Sequence, residues 1–181
     1  MTKEKKSDII NCFAKARHFQ QEESKMAVNY ARLKFAHRLV TNFYSSGLNH
    51  TARTFLERLG GEHYLKELEE TLQDEDIEAK NQLANLSFVW WRVTGNIEAH
   101  DRALAIWSIL SGSDELGIHA ISMIAYITLM DQTTPATQIR ERIVQLRIAR
   151  KQNTDVEHAN RLAVLASKLG ELFFKRCNKD N

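Results

Sequence analysis

The sequence predicts an all-α protein: a single compact bundle of about eight or nine helices, arranged as antiparallel hairpins around one central apolar helix. Three observations carry this expectation. The 181 residues include seven glycines and a single proline, too few breakers for a chain of strands and tight turns. Apolar residues recur at three- and four-residue spacing through most of the chain. Start and stop signals separate these runs by short loops, which favour antiparallel neighbours. With 43% hydrophobic and 27% charged residues, the composition is that of a folded chain, and residues 1–181 read as one helical domain.

Asp8 to Tyr44 lacks glycine and proline and is expected to hold two helices that break near Gln20 to Ser24. In the second of them, Ala27, Tyr30, Ala31, Leu33, Phe35, Leu39 and Phe43 form the expected apolar stripe. Ser45-Ser46-Gly47 ends it. Asn49 or Thr51 then caps a short helix with Ala52, Phe55, Leu56 and Leu59, closed by Gly60-Gly61. An acidic helix follows from Glu62 to Leu72. Asp74 to Glu78 places carboxylates at the start of the next helix, which reaches Val93.

Thr94-Gly95-Asn96 is a tight turn, with Asn96 capping Ile97 to Leu110. Ser113 caps the apolar helix over 116–130, expected at the centre because it is apolar on nearly every side. Thr134-Pro135 opens a helix with proline at its first position, and Thr154-Asp155-Val156-Glu157 matches a capping box for the last helix, to about Cys177. Phe88 to Leu110 is similar to one tetratricopeptide hairpin, with Ala99 and Ala103 where small residues pack, but the period does not recur.

Charge is uneven although the net charge is only +2. Residues 1–58 carry eleven Lys/Arg against five Asp/Glu, residues 59–80 two against eight, and residues 132–181 ten against five. Basic ends around an acidic middle suit nucleic-acid binding or a self-complementary assembly. Cys12 and Cys177 match no metal-ligand spacing and no disulfide framework, and no metal or cofactor is expected. Met1 to Ser7 is lysine-rich without a following apolar run, and 116–130 is too short to span a membrane; a cytoplasmic protein is the expectation.

The main functional expectation is a DNA-binding, transcription-regulator-like protein with a helix-turn-helix over residues 36–60. Leu48 would plug the turn, and Asn49, His50, Thr51, Arg53, Thr54 and Arg58 would form the reading helix. Short polar side chains and Arg53 suit base edges, a helix N-terminus favours phosphate, and Arg32, Lys34 and Arg38 would hold the backbone.

The alternative is a non-catalytic protein-interaction module, self-associating or bound to another protein. It would use Trp90, Trp91 and Trp107 with the cationic face of Arg140, Arg142, Arg147, Arg150 and Lys151. Adjacent tryptophans on a helix point about 100° apart, so Trp90 and Trp91 cannot both face one core. A regulator is expected to gather its arginines on one face, an adaptor to expose a contiguous apolar patch.

Ala36-His37-Arg38-Leu39 with Gly47-Leu48-Asn49 and Leu59-Gly60, and Thr94-Gly95 with Asp101 and Ala103, resemble the flagellar regulator FlhC and its plasmid-borne relatives. That family's zinc-binding cysteine cluster is absent here and the tail beyond Met130 has no counterpart in it, so the family is not assigned.

No enzyme is expected. Arg32 and His37 fit the Arg-x4-His spacing of helical HEPN ribonucleases, but five residues turn an ideal helix by about 140°. Asp155 and His158 lie one turn apart without the further ligands a di-iron bundle needs. No phosphate-binding glycine loop, zinc-protease motif or nucleophile elbow is present, and no small-molecule substrate is evident.

Overall fold

The computed structural model describes residues 27–72, 76–131 and 133–178. They are helical throughout, with no strand among the described residues. The helices are α1 (residues 27–45), α2 (Asn49–Leu59), α3 (Glu62–Thr71), α4 (Ile77–Thr94), α5 (Ile97–Leu110), α6 (Gly117–Met130), α7 (Ala136–Gln152) and α8 (Val156–Cys177). The expected break near Gln20 to Ser24 and Cys12 lie outside the described residues. The chain divides into two units, Met1–Ala99 and His100–Asn181, the division falling at residues 99 and 100 of α5.

In the first unit α4 is the hub, packing against both α2 and α3. It buries Ala79, Leu83, Ala84, Leu86, Phe88, Val89 and Trp90 together with Gln82 and Ser87, a set that goes most of the way round the helix. Small residues at 79, 84 and 87 let neighbouring backbones approach, while the larger apolar side chains fill the space between. Asp76 starts α4 properly: its Oδ1 accepts from the Ala79 N–H at 2.8 Å.

The ends of α1 and α2 are closed by the same device. Gly47 (φ 75°) lets the Leu48 N–H donate to Phe43 O at 2.8 Å and its own N–H to Tyr44 O at 3.0 Å. At Gly60-Gly61 the Gly61 N–H donates to Leu56 O and the Gly60 N–H to Glu57 O. Both are Schellman closures, which satisfy carbonyls the helix leaves open. The two sites differ in their surroundings. A Cβ at Gly47 meets nothing within 4 Å, whereas one at Gly61 (φ +57°) lies 3.1 Å from Cζ2 of the buried Trp90 ring. Gly47→Ala is therefore expected to cost about 1 kcal/mol for left-handed backbone alone. Gly61→Ala adds displacement of the indole and is expected to cost about 2 kcal/mol or more in urea unfolding. Equal losses at the two sites would contradict this account of Gly61.

The second unit is built on the α7–α8 hairpin, with α6 packed against both helices. Its core is Ala125 of α6, Ile139, Ile143, Leu146 and Ala149 of α7, and Leu162 and Leu169 of α8, flanked by half-buried Ile121, Leu129, Leu172 and Phe173. Ile139, Ile143 and Leu146, at helical spacing on one side of α7, thus face this core. The apolar helix expected at the centre touches both partners, yet it turns His119 and Tyr126 outward.

Several starts differ by one residue from expectation. Asp155, not Thr154, is the N-cap of α8, accepting from the His158 N–H at 3.0 Å. Pro135 is itself the extended N-cap residue of α7, and Ala136 begins the helix. Asn96 caps α5 as expected, accepting from the Ala99 N–H at 2.8 Å. Ala99 and Ala103 are fully buried, as the hairpin pattern requires.

Candidate functional site

The face with the most chemistry in the first unit lies where α1 turns into α2. The buried row of α1 is Asn29, Leu33, Ala36 and Val40, spaced as one side of a helix. That row sends a second apolar row outward: Val28 is 54% and Phe35 60% exposed. The expected stripe thus shares only Leu33 with the buried row. Ala27, Ala31 and Phe35 are exposed, and Tyr30, Leu39 and Phe43 are half-buried.

Across the turn, α2 buries Ala52 and Leu56 and leaves Phe55 half-buried. The Phe55 ring bridges the two helices, 6.4 Å from Phe35 and 6.2 Å from Phe43, tilted to the first and edge-on to the second. Leu48, folded back onto the Phe43 carbonyl by the Gly47 turn, is 51% exposed. Phe35, Phe55 and Phe43 therefore form a ring cluster, a seam at the α1–α2 junction, and Val28, two turns before Phe35 on the same side of α1, and Leu48 in the turn add exposed apolar surface. The end of α1 is held in place by Tyr44, whose ring meets Phe88 of α4 edge-on at 5.9 Å and whose hydroxyl accepts from Arg92 Nε at 3.3 Å.

The residues expected to read DNA surround this seam. Asn49, His50, Thr51, Arg53 and Arg58 of α2 are exposed, Thr54 is half-buried, and Arg32, Lys34 and Arg38 of α1 are exposed. Two expectations need correction. Neither Asn49 nor Thr51 caps α2: its N-cap is Leu48, without a side-chain hydrogen bond. Leu48 does not plug the turn, because Gly47 turns residue 48 back toward solvent rather than under the helix. Arg53 is engaged along its own helix, with Nε 2.8 Å from Glu57 Oε1, an exposed pair of the kind worth about 0.3–0.5 kcal/mol.

The other candidate residues are scattered. Trp107 is fully buried and Trp90 is 8% exposed, so both are packing residues here. Trp91 is half-buried, with the Arg92 guanidinium 5.5 Å above its ring. Arg140, Arg147 and Lys151 are exposed on α7, interleaved with Val144 and Ile148 at 48% and 51% exposure. Arg32 is exposed and His37 half-buried, about 140° apart on α1, so they do not converge. Desolvation lowers the His37 pKa, opposed in part by the Glu78 carboxylate. Among the described residues no group of three or more His, Cys, Asp or Glu is arranged to hold a metal ion. No helix among them is long and apolar enough to cross a membrane.

A polar cluster that sequence reasoning missed closes the α6–α7 connection. Asp131 Oδ1 accepts from the Thr133 N–H at 2.8 Å and from its hydroxyl at 2.7 Å, and Oδ2 accepts from the Thr134 hydroxyl at 2.9 Å. Partial burial works against ionisation, but these hydrogen bonds and the nearby His100 outweigh it and hold the carboxyl below its ordinary range. The folded pKa is depressed, so the stabilisation is present above the unfolded pKa and is lost as pH falls through the folded one. Asp131→Asn is expected to make the acid limb of the stability curve, below about pH 4, shallower than wild type. An unchanged limb in urea unfolding at several pH values would contradict this.

No protein-family model, no curated protein and no solved structure matches the chain.

Proposed function

We propose that the chain is a non-catalytic helical interaction module that pairs with a second copy of itself through the α1–α2 face. One observation supports this reading: the Phe35–Phe55–Phe43 ring cluster with Phe35 60% exposed, and Val28 and Leu48 also more than half exposed. A monomer gains nothing from leaving such apolar surface in water, and patches of this kind rimmed by polar residues mark association surfaces. The choice of occupant follows from charge. Exposed Arg32, Lys34, Arg38 and Arg58 surround the seam, and the same unit carries the acidic run with exposed Glu69, Glu70 and Glu78. A two-fold partner brings both signs of charge, which is what a self-complementary interface needs.

Burying a half-exposed side chain of this size contributes about 1 kcal/mol. Six such side chains across a two-fold axis roughly match the lower estimates of the association cost, about 4–15 kcal/mol. The apolar side chains alone therefore do not reach micromolar pairing, which needs about 8 kcal/mol net, and the expected dimer depends on its complementary charges and weakens with salt. Sedimentation velocity on the full chain through the micromolar range is expected to show a monomer–dimer equilibrium. A monomer at every concentration would overturn the reading.

A second reading, a DNA-binding regulator, is favoured by the N-terminus of α2. It has no side-chain cap and no acidic residue in its first turn, and it presents His50, Thr51 and Arg53 to solvent beside its open N–H groups. Fluorescence anisotropy with random duplex DNA separates the two. Micromolar binding that falls steeply between about 50 and 200 mM salt, and further in Arg53→Ala, would favour the regulator. Absence of binding at the lower salt leaves the interaction module.

A further inference from the structure

The second unit contains a cavity of about 690 Å³ between one flank of α6 and one flank of α8. This is within the range of sites that hold small organic ligands, about 300–1,000 Å³, and far larger than a packing fault. It arises because α8 sends Leu162 and Leu169 into the core while Val164 and Leu165, on the next flank, find only part of a partner surface. Val164 is left 54% exposed at the opening. Ile118 and Met123 of α6 complete an apolar floor.

The rim carries two carboxylates, Glu115 and Glu157, against one arginine, Arg161, and its remaining polar side chains, His119, Ser122, His158 and Asn160, can each donate or accept. The Ser122 hydroxyl already donates to Ile118 O at 2.8 Å, leaving its lone pairs to a visitor. His119 is pushed by desolvation toward the neutral imidazole, which offers one acceptor nitrogen. Glu115 has no ion-pair partner among the described residues, whereas the one cation at the rim, Arg161, is held by Glu157 one turn away. His158, on the α8 side, lies 3.5 Å from the Asp155 carboxylate, so that side adds no uncompensated positive charge.

We propose that this cavity binds a small amphiphilic amine, its apolar part on Ile118, Met123, Val164 and Leu165 and its ammonium donating to Glu115, Ser122 and His119. An ammonium has three donors, which the Glu115 carboxylate, the Ser122 lone pairs and the acceptor nitrogen of His119 can take, and its charge answers that of Glu115. A carboxylate of the same length would meet Glu115 as a like charge, and the one arginine at the rim is already paired with Glu157. The site is independent of the α1–α2 face and does not rest on the pairing proposed for it.

The test uses the full chain and the neutral fluorophore N-phenyl-1-naphthylamine. Its fluorescence is expected to rise saturably on binding and to be displaced by decylamine at a concentration about tenfold below that needed with decanoate, a difference of about 1.4 kcal/mol. Glu115→Gln is expected to abolish that preference. Ser122→Trp, which fills the cavity, is expected to abolish fluorophore binding, and the exposed Val164→Gln to weaken it severalfold. Far-UV circular dichroism confirms that each variant is folded, and Val164→Gln answers the question if Ser122→Trp does not fold. No saturable binding by wild type, decanoate competing as well as decylamine, or an unchanged preference in Glu115→Gln would each overturn the proposal.

Discussion

Trp107→Ala is expected to lower the unfolding free energy by about 3–5 kcal/mol, the largest effect of any single substitution considered. Trp107 is the largest of the fully buried side chains, at 0% exposure in α5. Its removal takes the apolar area of an indole out of the core and leaves a void that the surrounding helices only partly close. A domain of this size has about 5–15 kcal/mol in hand, so the variant should sit near the edge of folding at room temperature. Urea unfolding should show a lower midpoint at an unchanged slope. Trp107→Phe keeps most of the volume and should lose less than half as much. A loss below about 1 kcal/mol in Trp107→Ala would mean the indole is not packed as described.

Phe35→Glu should do the opposite: little to stability and much to association. Phe35 is 60% exposed, and its one ring contact, with Phe55 at 6.4 Å, is of a kind worth about 0.5–1.5 kcal/mol. The folded monomer therefore loses about 1.5 kcal/mol at most. In a pair built on the seam, the same change places a carboxylate on a desolvated surface and removes an aromatic anchor. Anchors of that kind cost about 2–4 kcal/mol when lost, which raises the dimer dissociation constant about thirtyfold or more. Sedimentation velocity reads that change, and urea unfolding serves as its control. Phe35→Leu should retain most of the association. Unchanged dimerisation in Phe35→Glu would exclude the seam as the contact.

The two substitutions show what local sequence carries and what it does not. All-α character was legible because breaker scarcity and three- to four-residue periodicity are local properties. The caps at Asn96 and Asp155 were legible within one residue, since a short side-chain acceptor beside open N–H groups works through its immediate neighbours. The buried side of α1 was not. Both of its rows are apolar, one through Leu33, Ala36 and Val40 and the other through Val28 and Phe35, and only the positions of α2 and α4 decide which is covered.

Trp107 could be read from the sequence either as a packing residue or as an interface candidate, for a related reason. Residue type favours tryptophan both in cores and in interfaces, and burial depends on which elements meet there. Of the polar residues singled out on α2, Asn49, His50, Thr51, Arg53 and Arg58 are exposed and Thr54 is half-buried. The exposure of Leu48 follows from the left-handed turn at Gly47, and the cavity between α6 and α8 from two helix flanks far apart in sequence. Neither leaves a trace in residue spacing.

The central claim, that the α1–α2 seam is a contact between copies, is tested most directly by amide chemical shifts of the ¹⁵N-labelled full chain in a dilution series. The account predicts concentration-dependent shifts grouped in residues 28–59, centred on Phe35, Leu48 and Phe55, and absent in Phe35→Glu. Shifts confined to residues 100–178, or none across the micromolar range, would contradict it.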